Sequence, residues 1–174
     1  MRRSIRSLAL AAAAGGCLSA LGVITAPGAS GETAPRSTPA EEHCVLRVTG
    51  RADDGRLLTD DLVCAATRME ALDRSAALRA PTATAAAADW AIGTHYDGPS
   101  YTGSSLTVVG ADCTGGWLNM PAGWNNRISS TRHGCPRIRH CDGYYLSTPQ
   151  QTTVAPGSNL FSLDNRTSSI QYLP

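Results

Sequence analysis

The strongest constraint on the fold is a six-residue stretch that occurs twice. Asn125-Asn126-Arg127-Ile128-Ser129-Ser130 returns as Asp164-Asn165-Arg166-Thr167-Ser168-Ser169, thirty-nine positions later. A near-identical stretch recurring at such a period indicates one supersecondary unit built twice, with the two copies packed on each other. Each copy offers side-chain amide or carboxylate oxygens, backbone carbonyls and hydroxyls, without a thiolate or imidazole, and that set suits a hard cation such as Ca²⁺. Asn and Ser also serve turns. Two copies in register favour the metal reading over turn chemistry.

The repeat reaches beyond these stretches. Ile92-Gly93-Thr94-His95-Tyr96-Asp97-Gly98 aligns with Ile138-Arg139-His140-Cys141-Asp142-Gly143, one residue shorter, and Asn119-Met120 aligns with Asn159-Leu160. From Asp89 onward, short apolar runs such as Leu106-Thr107-Val108-Val109 are separated by Gly, Ser and Asn turn signals, the pattern of an antiparallel β-domain. Each half is about 40 residues, room for four short strands, and four antiparallel strands closing on themselves make a Greek key. The expected fold class is all-β, with two four-stranded Greek-key motifs, about 89–133 and 134–174, forming a sandwich.

Ahead of this domain the chain changes character several times. Arg2, Arg3 and Arg6 precede an apolar run from Leu8 to about Ile24 and then small residues, the order of a secretory signal peptide over 1–30. The run is broken by Gly15, Gly16 and Ser19, so no membrane span is expected after signal removal, and the expected location is extracellular. Residues 31–42 read as a disordered lead-in. Residues 43–79 read as a small hairpin and helix, the helix from about Ala65 to Arg79 with Met69, Leu72, Ala76 and Leu78 on one face. Such a piece is too small to hold a core alone and reads as an appendage to the domain. The Ala-rich stretch 80–88 reads as a linker, and 89–174 as the main domain.

Export implies oxidising conditions for the five cysteines beyond the leader. Cys44 with Cys64 and Cys113 with Cys135 are the expected pairs, which leaves Cys141 over; Cys113 with Cys141 competes, because sequence does not fix connectivity. Without the leader the chain carries 12 basic and 14 acidic residues, all the basic ones Arg. Nothing there forms a clustered basic face with interleaved aromatics, so no nucleic-acid partner is expected.

Against that background, residues 89–174 resemble a microbial βγ-crystallin domain. Tyr96-x-x-x-x-Tyr101-x-Gly103 matches that family's hairpin corner, and both oxygen-rich stretches match its calcium motif. The resemblance implies two Ca²⁺ ions between the paired motifs. Asn125, Asn126 and Ser129 would give side-chain oxygens from the first motif with the carbonyl of Arg127, and Asp164, Asn165 and Ser168 from the second with the carbonyl of Arg166. With Asp164 the one charged side-chain ligand and two arginines alongside, the sites are expected to be weak. The second corner departs from the pattern. Cys141, Leu146 and Thr148 stand where Tyr96, Tyr101 and Gly103 stand in the first, so its geometry is expected to be degenerate.

No nucleophile, base and orienting residue share a recognisable spacing, and no catalytic role is expected. His95 and His140 are read as structural strand-end residues, and Trp117 and Trp124 as core or rim aromatics. The expected function is a secreted calcium-binding domain with a structural or interaction role. An inhibitor of extracellular metalloproteases on a crystallin-like scaffold is the alternative, with Thr114–Trp117 or Thr131–Pro136 as its presented loop. Other partners in view are a cell-envelope component or a second copy.

Overall fold

A computed structural model describes residues 40–78 and 89–174. The expected signal peptide, most of the lead-in and the linker lie outside the described residues. Eleven strands and one α-helix follow each other among them. The first Greek key contains β4 (Trp90–Tyr96), β5 (Ser105–Gly110), β6 (Trp117–Asn119) and β7 (Ser130–His133). The second contains β8 (Arg137–Cys141), β9 (Gln150–Val154), β10 (Gly157–Asn159) and β11 (Ser169–Leu173).

The two keys exchange their third strands. One sheet runs β10-β7-β4-β5 and the other β6-β11-β8-β9, so each contains three strands of its own key and one of the other. Alternation dictates which residues meet between the sheets. Ile92, Leu106, Val108, Leu118, Met120, Trp124, Ile128, Ile138, Leu160, Ile170 and Tyr172 form a single buried cluster. The one-residue difference between the halves is absorbed in β4, where the pairing with β5 skips a residue between Ala91 and Gly93. That irregularity restores the register, so that His95 and His140 become equivalent.

The hairpin and helix expected ahead of the domain are present, but they are continuous with its sheet. β1 (His43–Arg51) pairs in parallel with β5 from His43↔Ser105 to Arg47↔Val109. It also pairs antiparallel with β2 (Leu57–Thr59) and β3 (Val63–Ala65). The cause is apolar: Cys44, Leu46 and Leu57 enter the main cluster, so β1 covers an edge that β5 would otherwise leave open. Arg47 is fastened to Asp89 at 2.9 Å, which ties β1 to the start of the Greek keys.

Helix α1 spans Arg68–Ala77, with Thr67 as N-cap accepting from the Glu70 amide. Its buried face differs from the expected one. Ala71 and Ser75 face inward and Leu72 is half-buried, while Met69 and Leu78 are exposed. Small side chains at that four-residue spacing let the helix approach Val45 and Val109 closely. Disulfides join Cys44 to Cys64 and Cys113 to Cys135, and Cys141 is a buried free thiol.

Candidate metal centre

The two oxygen-rich stretches meet along a pseudo-twofold axis. The Asn126 amide donates to the Thr167 carbonyl at 2.9 Å, and the Asn165 amide donates to the Ile128 carbonyl at 2.9 Å. Asn126 and Asn165 both hold left-handed backbones, with φ of 56° and 54°. Asn tolerates that region better than most residues, which explains its place in both copies. The turn it makes carries each chain from the end of a loop into the last strand of its key.

Side chains cross the same axis. Ser168 Oγ donates to Asn126 Oδ1 at 2.9 Å, and Ser129 Oγ donates to Asn165 Oδ1 at 3.4 Å. Each pair mixes one residue from each motif. Two oxygens that both bind one Ca²⁺ at about 2.4 Å, 70–90° apart, lie roughly 2.8–3.4 Å from each other. The observed spacings fall in that range. Asn125 Oδ1 is a further oxygen that is buried without a hydrogen-bond partner among the described residues. Buried polar atoms are rarely left so, which makes it an oxygen with capacity to spare. Asp164 and Asn165 lie at the surface, so the centre is open to solvent. The donor chemistry and spacing therefore fit a hard divalent cation. The cross-motif amide bonds use the carbonyls of Ile128 and Thr167, one residue beyond the Arg127 and Arg166 carbonyls that the resemblance implies as ligands.

The two arginine side chains are engaged elsewhere. Arg127 donates to Asp97 Oδ2 from Nη2 at 2.8 Å and from Nε at 3.2 Å, and lies over the Trp124 ring at 4.9 Å. Arg166 pairs with Asp142. Each motif thus neutralises its own arginine with the aspartate of the corner in its own key. Asp97 and Asp142 are functional neighbours that the motif pattern left out, although their shared position in the repeat marks them as equivalent.

The second corner is not degenerate in geometry. Ser100 and Tyr101 have φ of 54° and 68°, and Tyr145 and Leu146 both have 58°. The Tyr101 amide donates to Ser130 Oγ at 2.9 Å, as the Leu146 amide does to Ser169 Oγ at 3.0 Å. The Ser100 amide donates to Asn159 Oδ1 at 2.7 Å, as the Tyr145 amide does to Asn119 Oδ1 at 2.9 Å. Side-chain oxygens from the motif serine and from the swapped strand hold both corners. The Tyr96–Tyr101 ring pair, 5.9 Å apart, packs the first corner, and in the second Tyr145 lies edge-on to Trp117 at 6.0 Å and Tyr144 at 6.4 Å.

The corners also position the motifs. The Ser129 amide donates to the Tyr96 carbonyl and the Ser168 amide to the Cys141 carbonyl, each at 2.8 Å. Replacing an aromatic by Cys141 leaves this backbone bond intact. Cys141 is buried and its thiol is pushed up from its ordinary value by burial.

Of the two stretches considered as presented loops, 131–136 is strand and tight turn. The Gly134 and Cys135 amides both donate to the Ile92 carbonyl, and Cys135 is buried. The other, Thr114–Trp117, is exposed only at its start. Asp112 Oδ1 accepts from the Thr114 amide, the Thr114 hydroxyl and Arg51, while Gly116 lies against Leu57 and Trp117 is buried.

No family model and no curated protein matches the chain. Two solved structures are similar to part of it. The N-terminal domain of Protein S shows 20% identity over 48% of this chain and 93% of that one, with a TM-score of 0.37. A betagamma-crystallin domain from Flavobacterium johnsoniae shows 23% identity over 46% of this chain and 91% of that one, with a TM-score of 0.36. The exchange of third strands between two Greek keys, with a folded corner in each, makes the fold βγ-crystallin-like. Among the described residues no helix is long and apolar enough to cross a membrane.

Proposed function

We propose that this chain is an extracellular calcium-binding domain of structural or interaction type, without catalysis, that holds up to two Ca²⁺ between its paired motifs. The observation that carries the reading is the reciprocal set of oxygens, Ser168 with Asn126 and Ser129 with Asn165, each drawn from both halves. An ion bound there cross-links the two Greek keys. Asn125, Asn126, Ser129, Asp164, Asn165 and Ser168 supply the side-chain oxygens, and Arg127 and Arg166 the backbone carbonyls.

Affinity is weak in this reading. Asp164 is the one charged side-chain ligand, and Asp97 and Asp142 are committed to arginines. Few charged ligands in an extracellular module correspond to dissociation constants on the order of 10⁻⁵–10⁻³ M. At 100 times the dissociation constant, one ion adds about 2.7 kcal/mol to folding stability. The test is thermal unfolding of the oxidised protein in EDTA and in millimolar CaCl₂, for the native chain and for Asn126→Ala with Asn165→Ala. A midpoint that rises with Ca²⁺ in the native chain and stays put in the double variant is the expected result. An unchanged native midpoint eliminates the calcium reading.

Protease inhibition is the second reading, carried by the exposed start of the Thr114–Trp117 stretch. It is braced by the Cys113–Cys135 disulfide and by the Asp112–Arg51 pair at 2.8 Å. Inhibition assays against a panel of secreted metalloproteases separate it from the first.

A further inference from the structure

A pair of histidines lies buried near the ends of facing strands, outside the metal centre. His95 in β4 and His140 in β8 occupy equivalent positions of the two keys and are both fully buried. Their rings meet edge to face, with centroids 5.7 Å apart. His95 is bonded by Nε2 to the Tyr172 hydroxyl at 3.0 Å and by Nδ1 to Thr131 Oγ1 at 2.9 Å. Neither ring nitrogen of His140 has a hydrogen-bond partner among the described residues.

Among the described residues, the groups around the pair offer no counter-charge. β11 contributes Tyr172, whose hydroxyl burial pushes up to hold its proton, and Ile170. β7 contributes Thr131 and the half-buried His133, which bonds Thr153 of β9 at 2.7 Å. The charged side chains of the surrounding strands are engaged away from the pair. Arg132 lies over the Tyr101 ring, Arg137 donates to the Pro174 carbonyl, and Arg139 donates to Gln171. Burial holds both rings neutral, and each opposes charge on the other or on His133. A proton entering here is a buried charge without compensation, which an apolar core does not tolerate.

Each histidine directly precedes a residue that anchors a metal motif. His95 is followed by Tyr96, whose carbonyl receives the Ser129 amide, and His140 by Cys141, whose carbonyl receives the Ser168 amide. We propose that His95 and His140 form an acid-operated latch between the two Greek keys, so that mild acid separates the sheets and loosens the paired motifs. The proton response stands on the core alone. Ion release as its consequence rests on the calcium reading above.

The sign follows from linkage. Both folded rings titrate below the usual value of about 6.5, and His95 is held near 3. Above about pH 6.5 neither state takes up a proton and the latch costs nothing. Below it the unfolded chain binds protons that the folded chain refuses, so stability falls as pH falls toward the folded values.

The test is urea unfolding in EDTA at intervals from pH 7.5 to 5.0, for the native chain, His140→Leu and His95→Gln. Leucine at 140 leaves no hydrogen-bond partner orphaned, because the native ring has none. Each variant is expected to lose one proton from the uptake linked to unfolding. Its folding constant should drop about 30-fold less than the native one between pH 7.5 and 5.0. Native proton uptake in both variants overturns the latch. A parallel measurement of bound Ca²⁺ by equilibrium dialysis at pH 7.5 and 5.0 separates the readings. No binding at pH 7.5 removes the calcium reading and leaves the proton result standing. Binding that persists at pH 5.0 through the unfolding transition overturns the release step.

Discussion

The sixth residue of each motif is the sharpest point at which the fold and the ion can be told apart. Ser169 is fully buried, accepts from the Leu146 amide at 3.0 Å and donates to the Gly143 carbonyl at 2.6 Å. Ser130 does the same for Tyr101 at 2.9 Å and Gly98 at 2.7 Å. These serines clasp the corners, whereas Ser129 and Ser168 face the other motif. Ser169→Ala strands a backbone donor and a backbone acceptor. An unsatisfied buried group costs about 1–3 kcal/mol, and partial access of water to the corner brings the pair to about 2 kcal/mol in total. For a protein of this size that corresponds to a melting point lower by roughly 8 °C. The assay is urea unfolding followed by tryptophan fluorescence in EDTA, with calorimetric Ca²⁺ titration of the folded protein. Ser169→Ala should unfold earlier and retain its ion stoichiometry. Ser129→Ala, which loses only a 3.4 Å contact, should unfold almost as the native chain does in EDTA and lose stabilisation by Ca²⁺. If the two variants behave alike in both measurements, the division of labour is wrong.

Two further outcomes follow from the same geometry. Leu46 lies in the main core at 5% exposure, so Leu46→Ala should destabilise the whole domain by about 2–5 kcal/mol in a single cooperative transition. A separate early transition would instead mark 43–78 as an independent unit. Replacing Arg127 and Arg166 by Met frees Asp97 and Asp142 beside the motifs. Calorimetry should then show Ca²⁺ bound up to about tenfold more tightly, equivalent to about 1.4 kcal/mol, and weaker or unchanged binding refutes the neutralising role of the arginines.

What was legible in the sequence was whatever the repeat encodes twice. The Greek-key pair, the cross-facing motifs and the equivalence of Asn119 with Asn159 all follow from a local pattern at a fixed period, and the structure has each of them. The cysteine pairs suggested by proximity in the chain are also joined. What escaped the reading depends on partners that are distant in sequence. β1 alternates like any hairpin strand, and nothing in Val45-Leu46-Arg47-Val48 announces a parallel neighbour sixty residues later; the burial of Leu46 between the sheets decides it. Hydrophobic periodicity points to Met69, Leu72, Ala76 and Leu78, yet close approach to a sheet selects the small Ala71 and Ser75.

The second corner shows the same limit from the opposite side. Its aromatic and glycine signature is gone, and reading the signature as the cause of the fold predicts a lost corner. The hydrogen bonds place the cause elsewhere. Ser169 and Asn119 accept the amides of Leu146 and Tyr145, and both residues lie outside the corner's own sequence. Because the strand that supplies Asn119 belongs to the other key, each corner is held partly by the opposite half. A corner can therefore change most of its own residues and keep its shape, provided that the exchanged strand and the motif serine stay.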